Sequence, residues 1–484
     1  MAWVGLDIGT SAVKAVVVDD RETPLLQAER PLTTQRPGPH LSEQDAQSWL
    51  DAVFDLLDAW AHEHPAIMAQ VAGLGLSGQM HGAVCLGADA KPLLPVILWN
   101  DGRAAPEAAE LNARHPKLAW KTGVPATPGF TAPKLLWLAR HRPALFEAVR
   151  TVLLPKDYVR LALTGDMVTD MSDAAGSWWL DQARRDWCEE ALEATGISRA
   201  MLPALVEGSA PSGVIRPALA QRWGMSGRVV VAGGAGDAMA GAIGVGAVED
   251  GPFLSLGTSA QLFAPGKAYR PLPDQYLHAY CHAAPGRWAQ VAALLNGASC
   301  LAWAADLLGE PIEKLLAEVA QKPAGPGEIL FLPYLTGERT PHNDAEASGG
   351  FIGLTPSSGK ADLIRAVLEG VAYSFADAAE CLRAAGGTLE AAAIIGGGAR
   401  SPLWVQILAD VLAIPLTRFR GGEKGPAFGA ARLARAAATG VDIAEIATAP
   451  PVLDVTQPRP ALSEAYGDKV AAFRRFYQAT KAAR

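Results

Sequence analysis

Hydrophobic residues alternate with small or polar residues in two runs near the N-terminus, WVGLDIG at 3–9 and AVKAVVVDD at 12–20. Alternation with period two and an excess of Val and Ile are typical of half-buried β-strands. Gly9, Thr10 and Ser11 stand where the two runs meet, and small polar residues favour a tight turn. The pattern predicts a β-hairpin with Gly9-Thr10-Ser11 at its tip.

The same pattern returns past the midpoint, in PFLSLGTSAQLFA at 252–264, with Gly257-Thr258-Ser259 at the turn. Each copy alone is compatible with an ordinary hairpin. Glycine lets the backbone approach a ligand, and consecutive backbone N–H groups bind anions, so a pair of such tips suits the phosphates of a nucleotide. The repeat predicts two related domains around a cleft, over residues 1–248 and 249–484.

A third segment, LEAAAIIGGGARSPLWVQILADVL at 389–412, has the pattern of a buried strand, a triple-glycine turn and an amphipathic helix. A glycine-rich turn before a helix N-terminus suits a phosphate or nucleotide, although it also serves as a plain tight turn. We predict that the adenine side is formed by Gly396, Gly397, Gly398 and Ala399. The segment GGEKGPAFGAARLA, around Gly425, is expected to form the neighbouring wall, and the last residues form an amphipathic helix.

Composition excludes several classes of protein. A chain of 484 residues exceeds one ordinary core, and 50% hydrophobic with 19% charged residues is a normal globular balance. A net charge of -8 without Lys/Arg-rich runs argues against nucleic-acid binding. Five scattered cysteines without a CxxC pair indicate reduced thiols in the cytoplasm. We expect no membrane contact, because no apolar stretch is long enough to cross a bilayer.

Several motifs then point to one family. They include GFTAPKLLWLARH at 129–141, GFIGLTPSSGKADLIRAVLE at 350–369, SGQMHG at 77–82, LWNDGR at 98–103 and FLPYLTGERTPHN at 331–343. Over nearly its whole length the chain resembles the FGGY family of carbohydrate kinases. The resemblance implies an α/β, two-domain, actin-like (ribonuclease H-like) fold with duplicated domains and a central cleft for MgATP and a sugar. It implies D-xylulose as the acceptor, and a homodimer is common in the family.

Asp237 is the predicted catalytic residue. It follows an apolar strand and a glycine-rich turn in VVVAGGAGDAMAGAIGVG at 229–246, and it begins a helix of small residues. Phosphoryl transfer to a hydroxyl needs a base for the proton, and a carboxylate at a helix N-terminus is favoured there. The local pattern alone fits a helix cap equally well. The resemblance identifies Asp237 as the expected general base.

The resemblance also assigns the phosphate side. Asp7 is expected to position Mg²⁺, which in proteins takes one or two carboxylates together with phosphates and waters; a strand-end Asp that binds the turn is the alternative. The expected contacts to the phosphates are Gly9, Thr10, Ser11 and Lys14 from one domain, and Gly257 and Thr258 from the other. Lys14 is equally compatible with a solvated strand position.

The sugar is expected to meet polar groups of the first domain, because its hydroxyls need hydrogen-bond partners. The predicted substrate residues are Gln79, Met80, His81, Trp99, Asn100, Asp101 and Arg103. By resemblance Met80 and His81 contact the sugar, while Trp99 offers an apolar face and Asp101 accepts hydroxyl protons. The residue after the expected base is Ala238, where the family usually has an amide. Lys156, Asp157 and Asp173 lie in family-like stretches without a predicted role.

Other functions remain as alternatives. GLGLSG at 73–78 matches the GxGxxG pattern of dehydrogenases, but that pattern needs a helix after it, and QMHGAVCLG has the pattern of a strand. A P-loop kinase is excluded, because the sequence contains no GxxxxGK[ST]. An actin-like ATPase, a non-catalytic sugar-binding protein, and kinases of ribulose or glycerol stay open.

Overall fold

The computed structural model describes residues 1–420 and 425–484. Within them the chain forms 24 strands. In chain order these are β1 Ala2–Ile8, β2 Ala12–Asp19, β3 Pro24–Pro31, β4 Glu43–Gln44, β5 Val71–Gly78, β6 Val84–Leu86, β7 Val96–Ile97, β8 Thr151–Leu153, β9 Val168–Asp170, β10 Leu180–Asp181, β11 Asp186–Trp187, β12 Ala204–Val206, β13 Pro211–Val214, β14 Val230–Ala232, β15 Ala235–Gly236, β16 Phe253–Leu256, β17 Ala260–Gly266, β18 Leu277–Cys281, β19 Trp288–Leu294, β20 Leu330–Leu332, β21 Gly350–Ile352, β22 Ala392–Ile395, β23 Leu416–Phe419 and β24 Val452–Thr456.

The same residues form 18 α-helices. They are α1 Ala46–Glu63, α2 Pro65–Met68, α3 Ala105–Arg114, α4 Leu118–Thr122, α5 Thr131–His141, α6 Pro143–Ala148, α7 Pro155–Thr164, α8 Met171–Ala175, α9 Glu189–Thr195, α10 Pro217–Arg222, α11 Asp237–Val245, α12 Ser299–Leu308, α13 Ile312–Ala320, α14 Lys360–Ala384, α15 Pro402–Leu412, α16 Pro426–Thr439, α17 Ile443–Ile446 and α18 Pro460–Ala482. Short 3₁₀ turns lie at Arg199–Met201, Pro273–Gln275 and Gly397–Arg400.

Two seven-stranded sheets share six strands with the same topology. The first has the order β13-β14-β5-β1-β2-β3, with β15 also paired to β5, and the second has the order β18-β19-β17-β16-β22-β23-β24. From β3 to β13 the successive pairs are antiparallel, antiparallel, parallel, parallel and antiparallel. From β19 to β24 the pairs follow the same series. The predicted duplication is therefore present in the strand order itself.

The two predicted phosphate turns occupy the same place in the two sheets. The turn at Gly9–Ser11 joins β1 to β2, and the turn at Gly257–Ser259 joins β16 to β17. In both sheets the first strand of the hairpin also pairs with a parallel strand, β1 with β5 and β16 with β22. The hairpin predictions are confirmed, as are the helix that begins at Asp237 and the terminal helix α18.

Helix α16 joins the halves although it lies late in the sequence, because it packs on β1 and β5 of the first sheet. The approach is close: a Cβ atom on Gly75 would lie 1.9 Å from the carbonyl oxygen of Ala430, and one on Gly5 would lie 1.8 Å from that of Ala427. Glycine is required at both positions by this helix. The split at residues 248 and 249 falls between α11 and β16 and stays a proposal.

The glycines of GLGLSG lie inside β5, and the strand β6 follows them. The dehydrogenase alternative is therefore wrong, because its fingerprint needs a turn that opens a helix. All five cysteines are buried and free, which agrees with reduced thiols. Across residues 1–420 and 425–484, no helix has the length and apolar character that a membrane span requires. Part of the expected adenine wall, residues 421–424, lies outside the described residues.

Candidate active site

Strand register brings the two predicted site carboxylates to one edge of the first sheet. Asp7 pairs with Ser77 across β1 and β5, and Ser77 pairs in turn with Ala235 of β15. Asp237 follows two residues later, as the first residue of α11. Because the three strands are parallel, their carboxyl ends meet at this edge. The sheet therefore places Asp7 and Asp237 side by side at the ends of neighbouring strands, although 230 residues separate them in sequence.

Asp7 is held by one hydrogen bond and is otherwise available. The hydroxyl of Ser77 donates to its Oδ1 at 3.0 Å, and its Oδ2 makes no hydrogen bond to the described residues. Burial, followed by the negative charge of Asp237, raises the pKa of Asp7 to about 7. A carboxylate with one oriented and one unbonded oxygen, beside a second carboxylate, is a donor set that fits Mg²⁺ together with phosphates and waters.

Asp237 has the environment of a base rather than of a cap. The preceding Gly236 is the N-cap residue of α11, and the carboxylate of Asp237 accepts only the backbone N–H of Ala238, at 2.7 Å. Burial raises the pKa of Asp237 to about 6, and that hydrogen bond lowers it. A carboxyl group with a pKa near the working pH is well suited to accept a proton in the transition state.

Asp237 opens into a cavity of about 870 Å³ between the two halves. The first half contributes to its lining Met80, His81, Trp99, Asn100, Asp237 and Ala238. The second half contributes the hairpin residues Thr258 and Ser259, together with side chains of β18 and of the loop that follows β20. The volume is that of an ordinary small-ligand site. The structure thus brings the predicted base, four predicted sugar contacts and one phosphate hairpin to one space.

His81 is neutral and presents one ring nitrogen to the cavity. Its Nδ1 donates to the carbonyl oxygen of Gly176 at 2.6 Å, and its ring stacks on Phe130 at 4.6 Å between centroids. Burial lowers its pKa to about 3, against the opposing effect of the Gly176 hydrogen bond. A neutral ring that donates from Nδ1 keeps a lone pair on Nε2. His81 can therefore accept a hydrogen bond from a ligand hydroxyl.

A chain of hydrogen bonds connects the cavity to the tip of the first hairpin. The indole N–H of Trp99 donates to the hydroxyl of Thr10 at 3.0 Å, and that hydroxyl donates to Gln79 Oε1 at 3.0 Å. Gln79 donates to Gln44, which donates in turn to the carbonyl oxygen of Thr10. The Thr10 hydroxyl proton is therefore directed to Gln79 within the protein. Gln79 is buried behind the hairpin and positions Thr10 rather than lining the cavity.

The resemblance implies nucleotide phosphates at this tip, so Thr10→Val is expected to raise KM for MgATP by roughly threefold to thirtyfold, because it removes two hydrogen bonds that hold the hairpin tip while it keeps the shape of the side chain. Steady-state kinetics with varied MgATP measures the effect. Thr164→Val is the matched control, since the Thr164 hydroxyl donates to a helix carbonyl oxygen outside this cavity. An unchanged KM in Thr10→Val would contradict a positioning role for the chain of hydrogen bonds.

Like Gln79, two further predicted sugar residues lie outside the lining of the cavity. Asp101 is buried, and its two carboxylate oxygens accept the backbone N–H groups of Ser42 and Arg103 and the Arg103 side chain. Arg103 also pairs with Glu43 at 2.6 Å and lies over the ring of Trp137. Neither side chain lines the cavity. Asp101 and Arg103 satisfy one another next to Trp99 and Asn100, and their contact with the sugar stays a prediction.

The second hairpin and the triple-glycine turn are neighbours, because β16 and β22 are adjacent parallel strands with Ser255 opposite Ile395. Gly396 has a φ of +93°, and a Cβ there would lie 2.7 Å from the carbonyl oxygen of Leu256. Gly397 is unobstructed, and Ala399 is buried. The carbonyl oxygens of Gly257 and Thr258 accept N–H groups from residues 297–299. The second hairpin and the triple-glycine turn therefore lie next to each other at the ends of adjacent strands.

The remaining predicted phosphate contacts lie on the first hairpin. Gly9 donates its N–H to the carbonyl oxygen of Ala12 at 3.1 Å, which closes the turn, and Ser11 is exposed. Lys14 is exposed on β2 opposite Asp7, and its charge lowers the pKa of Asp7. Lys14 is thus near the carboxylate edge, as a phosphate contact would be.

Sequence reasoning missed the polar side chains of the second half. His278, Tyr280 and Arg339 line the same cavity, opposite the predicted sugar residues. The only sequence signal was that Arg339 belongs to GERTPHN at 337–343, a loop without predicted chemistry. Alternate polar residues in the strand LHAYC are also typical of a half-buried strand, so their pattern did not single them out.

The charged residues without a predicted role form a buried ion cluster that is linked by hydrogen bonds to Gly236, the residue before Asp237. The Lys156 ammonium contacts Asp157 at 2.6 Å, Asp170 at 2.8 Å and Asp173 at 3.3 Å, and all four side chains are fully buried. Asp170 accepts the hydroxyl proton of Ser172, and that hydroxyl oxygen accepts the N–H of Gly236. The cluster therefore supports the residue that precedes Asp237.

Comparison with known proteins agrees with this geometry. Residues 2–244 match the model of the N-terminal domain of the FGGY family of carbohydrate kinases, and residues 253–438 match the model of its C-terminal domain. The xylulose kinase of Escherichia coli (strain K12) is 45% identical over 479 residues, which cover 98% of both chains. A crystal structure of a "xyloylose kinase" from Brucella ovis has a TM-score of 0.98 at 44% identity, and it covers 100% of both chains. A gluconate kinase from Lactobacillus acidophilus superposes with a TM-score of 0.93 at 27% identity, over 99% of this chain and 98% of that one.

Proposed function

Because this chain belongs to the FGGY family of carbohydrate kinases, and is therefore an ATP-dependent sugar kinase with the two-domain actin-like fold, we propose that its acceptor is D-xylulose and its product D-xylulose 5-phosphate. The observation that carries the proposal is Asp237, a carboxylate of raised pKa that lines a cavity between the two halves of the chain, beside the second hairpin. The identity to named xylulose kinases over almost the whole chain supports the choice of sugar.

In the proposed reaction Asp237 accepts the proton of the C5 hydroxyl while O5 attacks the γ-phosphorus of ATP. The bond between the γ-phosphorus and the β,γ-bridging oxygen breaks, and ADP leaves. Such a transfer depends mainly on positioning and on charge stabilisation. The carboxylate accepts only one backbone N–H, so a lone pair remains for the substrate proton.

The phosphates are proposed to lie between the two hairpins, on the backbone N–H groups near Gly9, Thr10, Ser11, Gly257 and Thr258, with Lys14 adding positive charge. The adenine is proposed to lie against Gly396, Gly397, Gly398 and Ala399. Asp7 would hold Mg²⁺ through its unbonded Oδ2, directly or through water. The ion would neutralise negative charge on the phosphates.

The sugar is proposed to bind where Met80, His81, Trp99 and Asn100 line the cavity. His81 Nε2 accepts a hydroxyl proton, and the buried Asn100 Oδ1, which has no partner among the described residues, can accept another. The Trp99 side chain is 42% exposed and offers its face to the carbon chain of the sugar. Ala238 lines the cavity without a polar group, so other residues must supply the hydrogen bonds of the usual amide.

The test is coupled ADP release with MgATP and a panel of D-xylulose, D-ribulose, L-ribulose, glycerol, D-gluconate and no sugar. We expect D-xylulose to give the highest kcat/KM, and ³¹P NMR to identify the product as a 5-phosphate. Stimulation by a different acceptor would keep the kinase and overturn the choice of sugar. Equal ADP release with and without every acceptor would favour the actin-like ATPase over the kinase.

The assembly and location of the protein are also proposals. We propose a cytoplasmic location because the cysteines are buried and free, and a homodimer because dimers are common in the family. Sedimentation equilibrium would distinguish a mass near 50.6 kDa, that of one chain, from twice that value.

A further inference from the structure

The second half of the chain presents unsatisfied polar groups to the cavity. His278 and Tyr280 stand two residues apart on β18, so their side chains point to the same side of the sheet. Their side chains are only 6% and 4% exposed, yet neither His278 Nε2 nor the Tyr280 hydroxyl has a hydrogen-bond partner among the described residues. Both line the cavity. A buried polar group without a partner costs free energy, so two of them at one wall indicate that a ligand completes their hydrogen bonds.

A cation stands beside this pair. The guanidinium of Arg339 lines the cavity and makes neither a hydrogen bond nor an ion pair to the described residues. Burial lowers the pKa of Arg339, while Tyr280 and Glu338 act in the opposite direction. Elsewhere in the described structure the buried arginines have partners, as Arg160 and Arg432 show. The free guanidinium at this wall is therefore available for a ligand.

The backbone that carries Arg339 is fixed in advance. Glu338 accepts the N–H groups of Leu295 and of Arg339 itself, at 2.8 and 2.7 Å. On the other side, the hydroxyl of Thr340 donates to the carbonyl oxygen of Tyr276 at 2.8 Å and accepts the N–H of Ala293 at 3.1 Å. Both neighbours of Arg339 are thus tied to the second sheet. The guanidinium is presented by a rigid loop, which reduces the cost of ordering it on binding.

Arg339 and Asp237 line the same cavity from different halves of the chain. The charge of Arg339 lowers the pKa values of His81 and His278, after the larger effect of burial. A sugar whose reacting hydroxyl lies at Asp237 can extend its other end across this cavity to Arg339.

The chemistry of a 2-ketopentose identifies the group at the other end of the sugar. A 2-ketopentose closes its five-membered ring by addition of O5 to the C2 carbonyl. Phosphorylation on O5 therefore needs the open chain, in which C2 is a free carbonyl. Carbonyl oxygens accept hydrogen bonds, and a guanidinium presents several donors in a fixed plane.

We propose that His278, Tyr280 and Arg339 form a second acceptor-binding wall, on which Arg339 donates to the C2 carbonyl oxygen of the open-chain ketose and so selects ketoses over polyols. The inference rests on the proposed function and adds to it the basis of acceptor choice. An acceptor that lacks the carbonyl oxygen leaves these donors unpaired, so the donors discriminate against it. Removal of the donors should therefore reduce the discrimination.

The test compares D-xylulose with xylitol and D-arabinitol, its two C2-reduction products, which keep the terminal hydroxyl. Acceptor binding without nucleotide is measured by calorimetry, and kcat/KM by ADP release. In Arg339→Met we expect Kd for D-xylulose to rise roughly tenfold or more, as for loss of a charged hydrogen bond, with less than about a threefold change for the pentitols. KM for MgATP stays unchanged. Arg339→Lys keeps the charge without the planar arrangement of donors, so we expect its Kd for D-xylulose to lie between those of the wild type and Arg339→Met.

Tyr280→Phe removes one cavity hydroxyl and little volume, so it tests the wall in a variant that keeps its packing. We expect it to weaken D-xylulose binding about threefold to tenfold. Tyr373→Phe is the matched control: that buried hydroxyl bonds to Glu369, away from the cavity, and acceptor affinity should not change. Arg474→Met is the matched control for Arg339→Met: it breaks an ion pair with Asp377, and acceptor affinity should not change.

Equal weakening of ketose and pentitols in Arg339→Met, or no weakening, would overturn the carbonyl contact. A wild-type protein that binds D-xylulose and the pentitols equally would overturn the selection. Failure of the proposed function is distinct, since the wild type would then neither bind D-xylulose nor release ADP with it.

Discussion

Asp237→Asn is expected to lower kcat by at least about 10²–10⁴-fold and, in the same variant, to raise the melting temperature at pH 8. Turnover falls because the amide cannot accept the hydroxyl proton. Stability rises because an ionised carboxylate in this buried place is unfavourable in the folded protein, as its raised pKa of about 6 states. A residue kept only as a helix cap would show the opposite result, retained activity and lower stability.

The sign of the pH effect follows from linkage. The folded-state pKa of Asp237 lies above its ordinary value of 3.8, so the folded protein binds this proton more tightly than the unfolded chain does. The stability that this group contributes is present below about pH 4 and is lost as pH rises through about 6. The gain in melting temperature of Asp237→Asn should therefore be full at pH 8 and vanish near pH 4. In the wild type, kcat/KM should fall as pH drops below about 6, because protonated Asp237 cannot act as a base.

Thermal scans at pH 4 and pH 8, together with pH profiles of kcat/KM, measure both effects. Asp442→Ala is the matched control: Asp442 caps α17 by accepting the N–H of Ala444 at 2.9 Å, so its loss should cost about 1 kcal/mol of stability and no activity. Retained turnover in Asp237→Asn would remove this residue from the reaction.

Lys156→Met is expected to lower the free energy of unfolding by about 3–5 kcal/mol, because it leaves buried carboxylates without their cation. Burial alone would lower the pKa of Lys156, but Asp157, Asp170 and Asp173 outweigh it and raise the pKa above its ordinary value. Arg160 lies 3.5 Å from Asp157 and stays in place in this variant. Urea unfolding at pH 7.5, followed by circular dichroism, measures the loss.

Asp173→Asn is the control within the same cluster. Burial, against the attraction of Lys156, raises the pKa of Asp173 well above its ordinary value, so the folded protein favours the neutral form of this carboxyl. Replacement by the neutral amide should therefore change stability by much less than Lys156→Met. A small effect of Lys156→Met, or an equal effect of Asp173→Asn, would contradict this distribution of charge. Any surviving Lys156→Met protein should lose kcat rather than affinity for MgATP, since the cluster supports Gly236 before the base.

Local features of the fold were predictable from the sequence. A hairpin such as β1–β2 is specified by alternation and by a small-residue turn, which are properties of neighbouring residues. The start of α11 at Asp237 was predictable for the same reason, since a glycine-rich turn before a run of Ala, Met and Ile marks a helix start. The duplication followed because the same short phrase recurs, and identical local rules produce the same hairpin twice.

Placement relative to the cavity was not predictable in the same way. Asp101 belongs to a motif with Trp99 and Asn100, yet only Trp99 and Asn100 face the cavity, while Asp101 is consumed by Arg103 and two backbone N–H groups. Sequence nearness cannot distinguish these cases, because the direction of each side chain in a loop depends on the elements packed around it. Similarly, Gly73 and Gly75 of β5 match part of a nucleotide fingerprint in sequence, whereas the structure shows that they make room for the backbone of α16.

By itself the sequence determined the family, the paired hairpins and the identity of the expected base, since each depends on residues that are adjacent along the chain. Only the tertiary structure decided that Asp7 lies beside Asp237 and that Lys156 pairs with Asp170 in the buried cluster. It also decided that His278, Tyr280 and Arg339 line the same cavity as His81. These groups are far apart in sequence, and they meet through strand register and the packing of two sheets across a cleft. Burial at those meeting points, rather than residue type, sets their pKa values and leaves particular polar atoms free for a ligand.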